Sequence, residues 1–255
     1  MIRFFYEIKR INDMQKKKLE ELKQLYIELY SLRNEFEQTD NQKYAFAPCM
    51  IGSKYGESKI RLMIYGQNAN GWPTDRNQSA EEFADNYVNS LFNGQAFDWI
   101  LLDEKGEEWN GMGYYPERHA FWRMPKMIFL TLTKGEELKY RIWQDYIVQS
   151  DTLKITYEDS GKGNVKSWRI KRQRELCLKI LFSELEIVKP THLLFMTNDK
   201  EYCFEEIIKL LHPYHGKYVK HTGYLFDAKT VIARHPQFTS PEVYLAECID
   251  AFDHL

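Results

Sequence analysis

Ile60-Arg61-Leu62-Met63-Ile64-Tyr65-Gly66-Gln67-Asn68-Ala69-Asn70-Gly71-Trp72-Pro73 is an apolar run that stops at a glycine and turns polar. Ile60 to Tyr65 has the length and content of a buried strand. The turn after it carries Gly66, Gln67, Asn68, Asn70, Gly71 and Trp72, and a helix pattern begins near Ser79. Open α/β sheets place their ligands at such a strand end. The same composition also serves a plain strand-to-helix loop, with glycine for positive φ and asparagine for local backbone bonds.

A second stretch favours the ligand reading. Thr230-Val231-Ile232-Ala233-Arg234-His235-Pro236 is another short apolar strand, broken by Arg-His-Pro. If the two strands are parallel, their C-terminal ends bring the Asn68 amide and the His235 imidazole to one crevice. The pair Gly-Gln-Asn-Ala-Asn-Gly-Trp and Arg-His-Pro-Gln resembles the first and last signature motifs of the uracil-DNA glycosylase superfamily. Those motifs read roughly Gly-Gln-Asp-Pro or Gly-x-Asn-Pro, and His-Pro-Ser-Pro. Both occur here in the family's order, each closing an expected strand.

The resemblance implies a three-layer α/β sandwich with a central, mostly parallel sheet. The whole chain, 1–255, then reads as one such domain, with a helical N-terminal extension over 13–40. It implies that Asn68 holds a water, that His235 stabilises charge on a departing base, and that Gly66, Gln67 and Arg234 line the pocket. Tyr65 and Trp72 are candidates for stacking on the base, with core packing the equal alternative for each. In the family a middle motif supplies an asparagine at a strand end. The corresponding run, Tyr146 to Ile155, offers Asp151 instead, with Lys154 close by. That departure puts uracil itself in doubt as the substrate, and a plain turn aspartate is the alternative.

Composition sets bounds on this reading. The 255 residues are 44% hydrophobic and 15% aromatic, enough for a real core, and the net charge is −2. The molecule as a whole is therefore no electrostatic nucleic-acid binder, and any DNA contact needs a local patch. One block qualifies: Ser160 to Arg174 holds Lys162, Lys166, Arg169, Lys171, Arg172 and Arg174 and no acid. Such runs are usually solvated surface, but this one lies between the motifs. Cys49, Cys177, Cys203 and Cys248 form no Cys-x-x-Cys pair, which argues for reduced thiols, a cytoplasmic location, and no zinc ribbon. Nor do they match the four-cysteine iron–sulfur spacing of some glycosylase relatives. His212, His215 and His221 fit no common zinc pattern. No metal and no cofactor is expected. No run approaches membrane-spanning length, and the first ten residues are too short and too charged for a signal peptide.

Along the chain, Met14 to Phe36 reads as a long helix and Asp40 to Gly56 as a connection. Ser79-Ala80-Glu81-Glu82 reads as a capping box opening a helix to about Phe92. The aromatic, glycine-rich stretch 93–118 reads either as a lid or as a folded-down core loop. Helices are expected from Arg118 to Leu132 and from Ile170 to Val188. A strand follows at His192 to Met196, a second capping box with a helix from Asn198 to Leu211, a strand near Tyr218 to Tyr224, and a closing helix from Pro241 to Phe252. That alternation is the rhythm of a parallel sheet. The function expected is hydrolysis of an N-glycosidic bond of a flipped base, uracil or another, in single- or double-stranded DNA, by a monomer. The alternative is a noncatalytic nucleic-acid- or nucleotide-binding protein of the same fold. A metabolite hydrolase finds no support, because neither a nucleophile elbow nor a phosphate-binding glycine loop is present.

Overall fold

In a computed structural model, the described residues are 2–47, 49–68, 77–90, 119–134, 143–159, 165–197 and 202–255. Trp72, Lys162, the stretch 93–118 and the second expected capping box lie outside them.

The expected strands form around one sheet. β1 is Tyr44–Phe46, β2 Met50–Ile51, β3 Leu62–Asn68, β4 Ile147–Leu153, β5 Ile155–Tyr157, β6 His192–Met196, β7 His212–Pro213, β8 Val219–Leu225 and β9 Ala228–Ala233. The main sheet has the order β2-β4-β3-β6-β9-β8-β7. Its centre, β4-β3-β6-β9, is parallel, with Gly66 opposite Asp151 and Tyr65 opposite Phe195. Two-residue strands close both edges, β2 antiparallel to β4 and β7 antiparallel to β8. β1 and β5 pair separately as a short antiparallel ribbon, β1 inside the stretch 40–56 expected as a connection and β5 starting at the last residue of the run Tyr146 to Ile155.

Helices cover both faces. They are α1 Ile2–Asp40, α2 Ala80–Ser90, α3 Ala120–Leu132, α4 Ser167–Val188, α5 Glu205–Ile208 and α6 Pro241–Asp253. Successive strand residues point to opposite sides. Met63 and Tyr65 therefore join Leu22, Tyr26, Leu29 and Phe36 of α1, Phe83 of α2 and Leu181 of α4 in one core. Leu62 and Ile64 join Trp122 and Phe129 of α3 and Tyr244 and Phe252 of α6 in the other. The result is a mixed α/β molecule in three layers around a mostly parallel sheet. α1 is longer than expected and no mere extension, since its middle turns carry fully buried core residues.

The capping box at α2 forms as read. The Ser79 N–H donates to Glu82 Oε2 at 2.8 Å, and the Glu82 N–H donates to Ser79 Oγ at 3.1 Å. Pro125 sits inside α3 without ending it. α5 is shorter than the expected 198–211 helix. Among the described residues, no helix is long and apolar enough to cross a membrane.

Candidate functional site

The chain leaves β3 towards β4 and leaves β6 towards β9, so its connections diverge at the C-terminal ends of β3 and β6. Open α/β sheets open their binding crevices at such a divergence. Asn68 closes β3, Thr197 follows β6, and His235 stands two residues beyond β9, all on this sheet edge. Asp151 is near the end of β4, directly across from Gly66.

Gly66 is the tightest point. A Cβ there would lie 2.3 Å from Oδ1 of Asp151 and 2.9 Å from Cε2 of Phe121, so any larger residue must push both side chains aside. Phe121, in the first turn of α3, also stacks on the His235 ring, with centroids 6.1 Å apart and planes 19° off parallel. Gly66, Asp151, Phe121 and His235 are thereby drawn into one cluster on the α3 side of the sheet edge. In the sequence Phe121 is simply one of the apolar residues of a helix pattern, and nothing local marks it as part of a site.

The loop backbone is fastened from β4. Thr152 Oγ1 lies 3.2 Å from the Gly66 carbonyl and 3.0 Å from that of Gln67, donating to this pair of oxygens. Gln67 Nε2 is buried with no hydrogen-bond partner among the described residues. On the other side of the crevice, the Gln237 N–H donates to His235 Nδ1 at 3.3 Å. Burial holds the imidazole below its ordinary pKa, so it is neutral at pH 7. With Nδ1 accepting, the ring proton sits on Nε2, which makes His235 a neutral donor. Arg234 has its carbonyl fixed by Tyr244 Oη at 2.8 Å and its side chain exposed. Thr239 closes the turn onto the Pro236 carbonyl, and Phe238 within it has φ 60° and is 96% exposed.

Asp151 is 5% exposed, and its Oδ2 accepts from Gln149 Nε2 at 3.2 Å. Burial pushes its carboxyl up to about 6, against the pull of Lys154 and the Gln149 bond. Lys154 is not its partner. Its ammonium lies on the opposite face of β4, 2.8 Å from Glu184 Oε1 of α4, and also donates to Ser150 Oγ. Ser150 Oγ and Tyr65 Oη each donate to Glu184 Oε2 at 2.9 Å, and Tyr26 Oη donates to Oε1 at 3.1 Å.

That network decides between the two roles open to Tyr65, in favour of core packing. The side chain is fully buried against Phe195 and Glu184, on the α1–α4 face, because it precedes Gly66 by one residue and so points the other way. It holds the core together and cannot stack on a base at the crevice. The basic run needs correction. Arg169 is 1% exposed, with its guanidinium 4.1 Å from the Trp168 ring centre, so it cannot reach phosphate. Arg172 pairs with Glu35 at 3.3 Å and Arg174 with Glu206 at 2.9 Å. Lys166 and Lys171 are exposed, as a phosphate contact requires.

No family model matches the chain, and no curated protein matches it. Among the described residues no group of three His, Cys, Asp or Glu side chains could hold a metal ion, and the four cysteines are free and buried. The described groups at the sheet edge are a neutral imidazole donor, an amide, a buried carboxyl and an aromatic ring, which suit hydrogen bonding and proton placement.

Proposed function

We propose that the protein is a uracil-DNA glycosylase-like hydrolase that cleaves the N-glycosidic bond of a base turned out of its strand. The observation that carries this reading is the meeting of Gly66, Asp151, Phe121 and His235 at the strand ends that also bear Asn68. Base chemistry requires the base outside the stack and read along its edge, and an aromatic ring beside a buried polar group suits that task. Phe238, exposed next to His235, is the kind of apolar side chain that proteins insert at an opened base step.

The reaction balances as follows. The oxygen of a water held by Asn68 bonds to the sugar C1′, and the C1′–N bond breaks with its electron pair going to the base. The water proton ends on the base nitrogen through solvent. His235 Nε2–H donates to a carbonyl oxygen of the base as negative charge gathers there, and it needs no protonation change to do so. Asn68 cannot take the proton, so catalysis lacks the factor of about a hundred to ten thousand that a general base supplies.

The test is release of abasic sites from oligonucleotides carrying single uracil, cytosine or modified bases. His235→Ala is expected to slow release by about a hundredfold or more. Asn68→Asp is expected to speed it by at least about tenfold, by supplying the missing base. No release from any substrate by the parent or by Asn68→Asp would remove the hydrolase reading. Binding without turnover would then identify the noncatalytic alternative, which the amide at position 68 favours.

A further inference from the structure

Resting on the reading of this sheet edge as a base pocket, we infer that Asp151 selects a base with an exocyclic amine, of the cytosine type, and turns uracil away. Among the described residues the Asp151 carboxyl accepts one hydrogen bond, so both of its oxygens keep a lone pair or a proton for the ligand. Oδ2 is engaged by Gln149, whereas Oδ1 lies over the Cα of Gly66, next to the edge of Phe121. The charged groups that act on the carboxyl, Lys154 and Glu184, are paired with each other on the opposite face of β4 and do not occupy it.

An oxygen so placed accepts from an amine N–H. The edge of cytosine away from its sugar presents an amine beside an unprotonated ring nitrogen. A carboxyl group answers both when it carries one proton: Oδ1 accepts from the amine and the O–H donates to the nitrogen. Burial favours that proton, holding the Asp151 carboxyl at about 6. Uracil presents a carbonyl oxygen beside an N–H instead. The N–H can donate to an ionised Asp151, but the carbonyl oxygen then faces a lone pair with no donor between them, in a site too buried for water to relieve it. An asparagine would supply that donor. Cytosine also retains a carbonyl beside its glycosidic nitrogen to accept from a donor such as His235, and adenine has none there.

The test is binding of free nucleosides to the full chain at pH 6, followed by calorimetric titration with deoxycytidine, 5-methyldeoxycytidine, deoxyuridine and deoxyadenosine. The expected result is at least about tenfold tighter binding of the two cytosine nucleosides than of deoxyuridine. Asp151→Asn, a change of one atom that keeps an acceptor for Gln149, is expected to narrow or reverse that ratio. Deoxyuridine or deoxyadenosine binding as tightly as deoxycytidine in the parent would overturn the assignment, and that comparison needs no variant. So would an unchanged ratio in a folded Asp151→Asn protein, or no saturation by any nucleoside at about 10 mM. Cleavage is scored separately. Cytosine preference in binding without base release leaves this selectivity standing and removes the hydrolase, while efficient uracil release with tight deoxyuridine binding does the reverse.

Discussion

Replacing Lys154 by methionine tests what holds β4 and α4 together beneath the crevice. Lys154 and Glu184 are 0% and 1% exposed, and the carboxylate accepts from the ammonium, from Ser150 and from two tyrosines. Methionine fills nearly the same volume, so packing changes little, but it strands a carboxylate in the core with hydroxyl donors alone. Breaking a buried pair from one side typically costs about 3–5 kcal/mol, because the remaining charge is desolvated and uncompensated. For a chain of this size each kcal/mol lowers Tm by roughly 2–4 °C, so a fall of about 6–20 °C is expected. Glu184→Gln alone is expected to be comparably severe. The double variant Lys154→Met/Glu184→Gln removes both charges and leaves the glutamine oxygen to accept from the hydroxyls. It should therefore cost at least about 2 kcal/mol less than the sum of the single changes. Urea unfolding of the four proteins measures all these quantities, provided the m-values agree. A loss below about 1 kcal/mol for Lys154→Met, or strict additivity, would refute the idea that the pair is a buried and mutually dependent unit.

Three further outcomes are expected. Gly66→Ala should destabilise by about 1–3 kcal/mol and abolish nucleoside binding in calorimetry, because its Cβ displaces both Asp151 and Phe121. Asp151→Asn should be more stable than the parent at pH 8, by up to about 3 kcal/mol, with the gain gone near pH 4. The sign follows from a carboxyl raised in the folded state from 3.8 to about 6: between those values the native protein holds a proton that the unfolded chain has lost, so parental stability falls as pH rises through that window and is level above it. His192, lowered by burial to about 4, acts in the opposite sense over much of the same range, so thermal melts of the variant should show stability rising from pH 4 to 6. Finally, Lys166→Gln and Lys171→Gln should each reduce the salt dependence of DNA binding by about one unit, and Arg172→Gln and Arg174→Gln by less, since both arginines are held by acids.

The central strands are legible because buried parallel strands are short, mostly apolar runs that stop at a polar turn. Ile60–Tyr65 stops at Gly66, His192–Met196 at Thr197-Asn198, and Thr230–Ala233 at Arg234-His235-Pro236. β1, β2 and β5 are two or three residues long and carry no such pattern. They exist because their neighbours supply partners, as when the Gln173 amide bonds both the N–H and the carbonyl of Ile155. For Tyr65, strand alternation already decides between stacking and core packing: a residue next to the glycine of the crevice must face the opposite layer. Arg169, by contrast, misleads. Helix α4 buries Arg169, Gln173, Cys177 and Glu184 along one stripe, so polar residues there are interior, and charge alone reads as solvent. Phe121 reaches the site through the tertiary placement of α3, which no local spacing encodes.

The two-residue strands at either margin of the main sheet bear on how this protein behaves when crowded. A long exposed margin presents a row of unpaired N–H and C=O groups on which a further chain can template, the usual start of edge-to-edge aggregation. Here the outermost strands are two residues each, and Pro213 removes a donor from one of them. Lengthening β7 by replacing Pro213 with threonine is the change that would turn the sheet's quiet border into a seed.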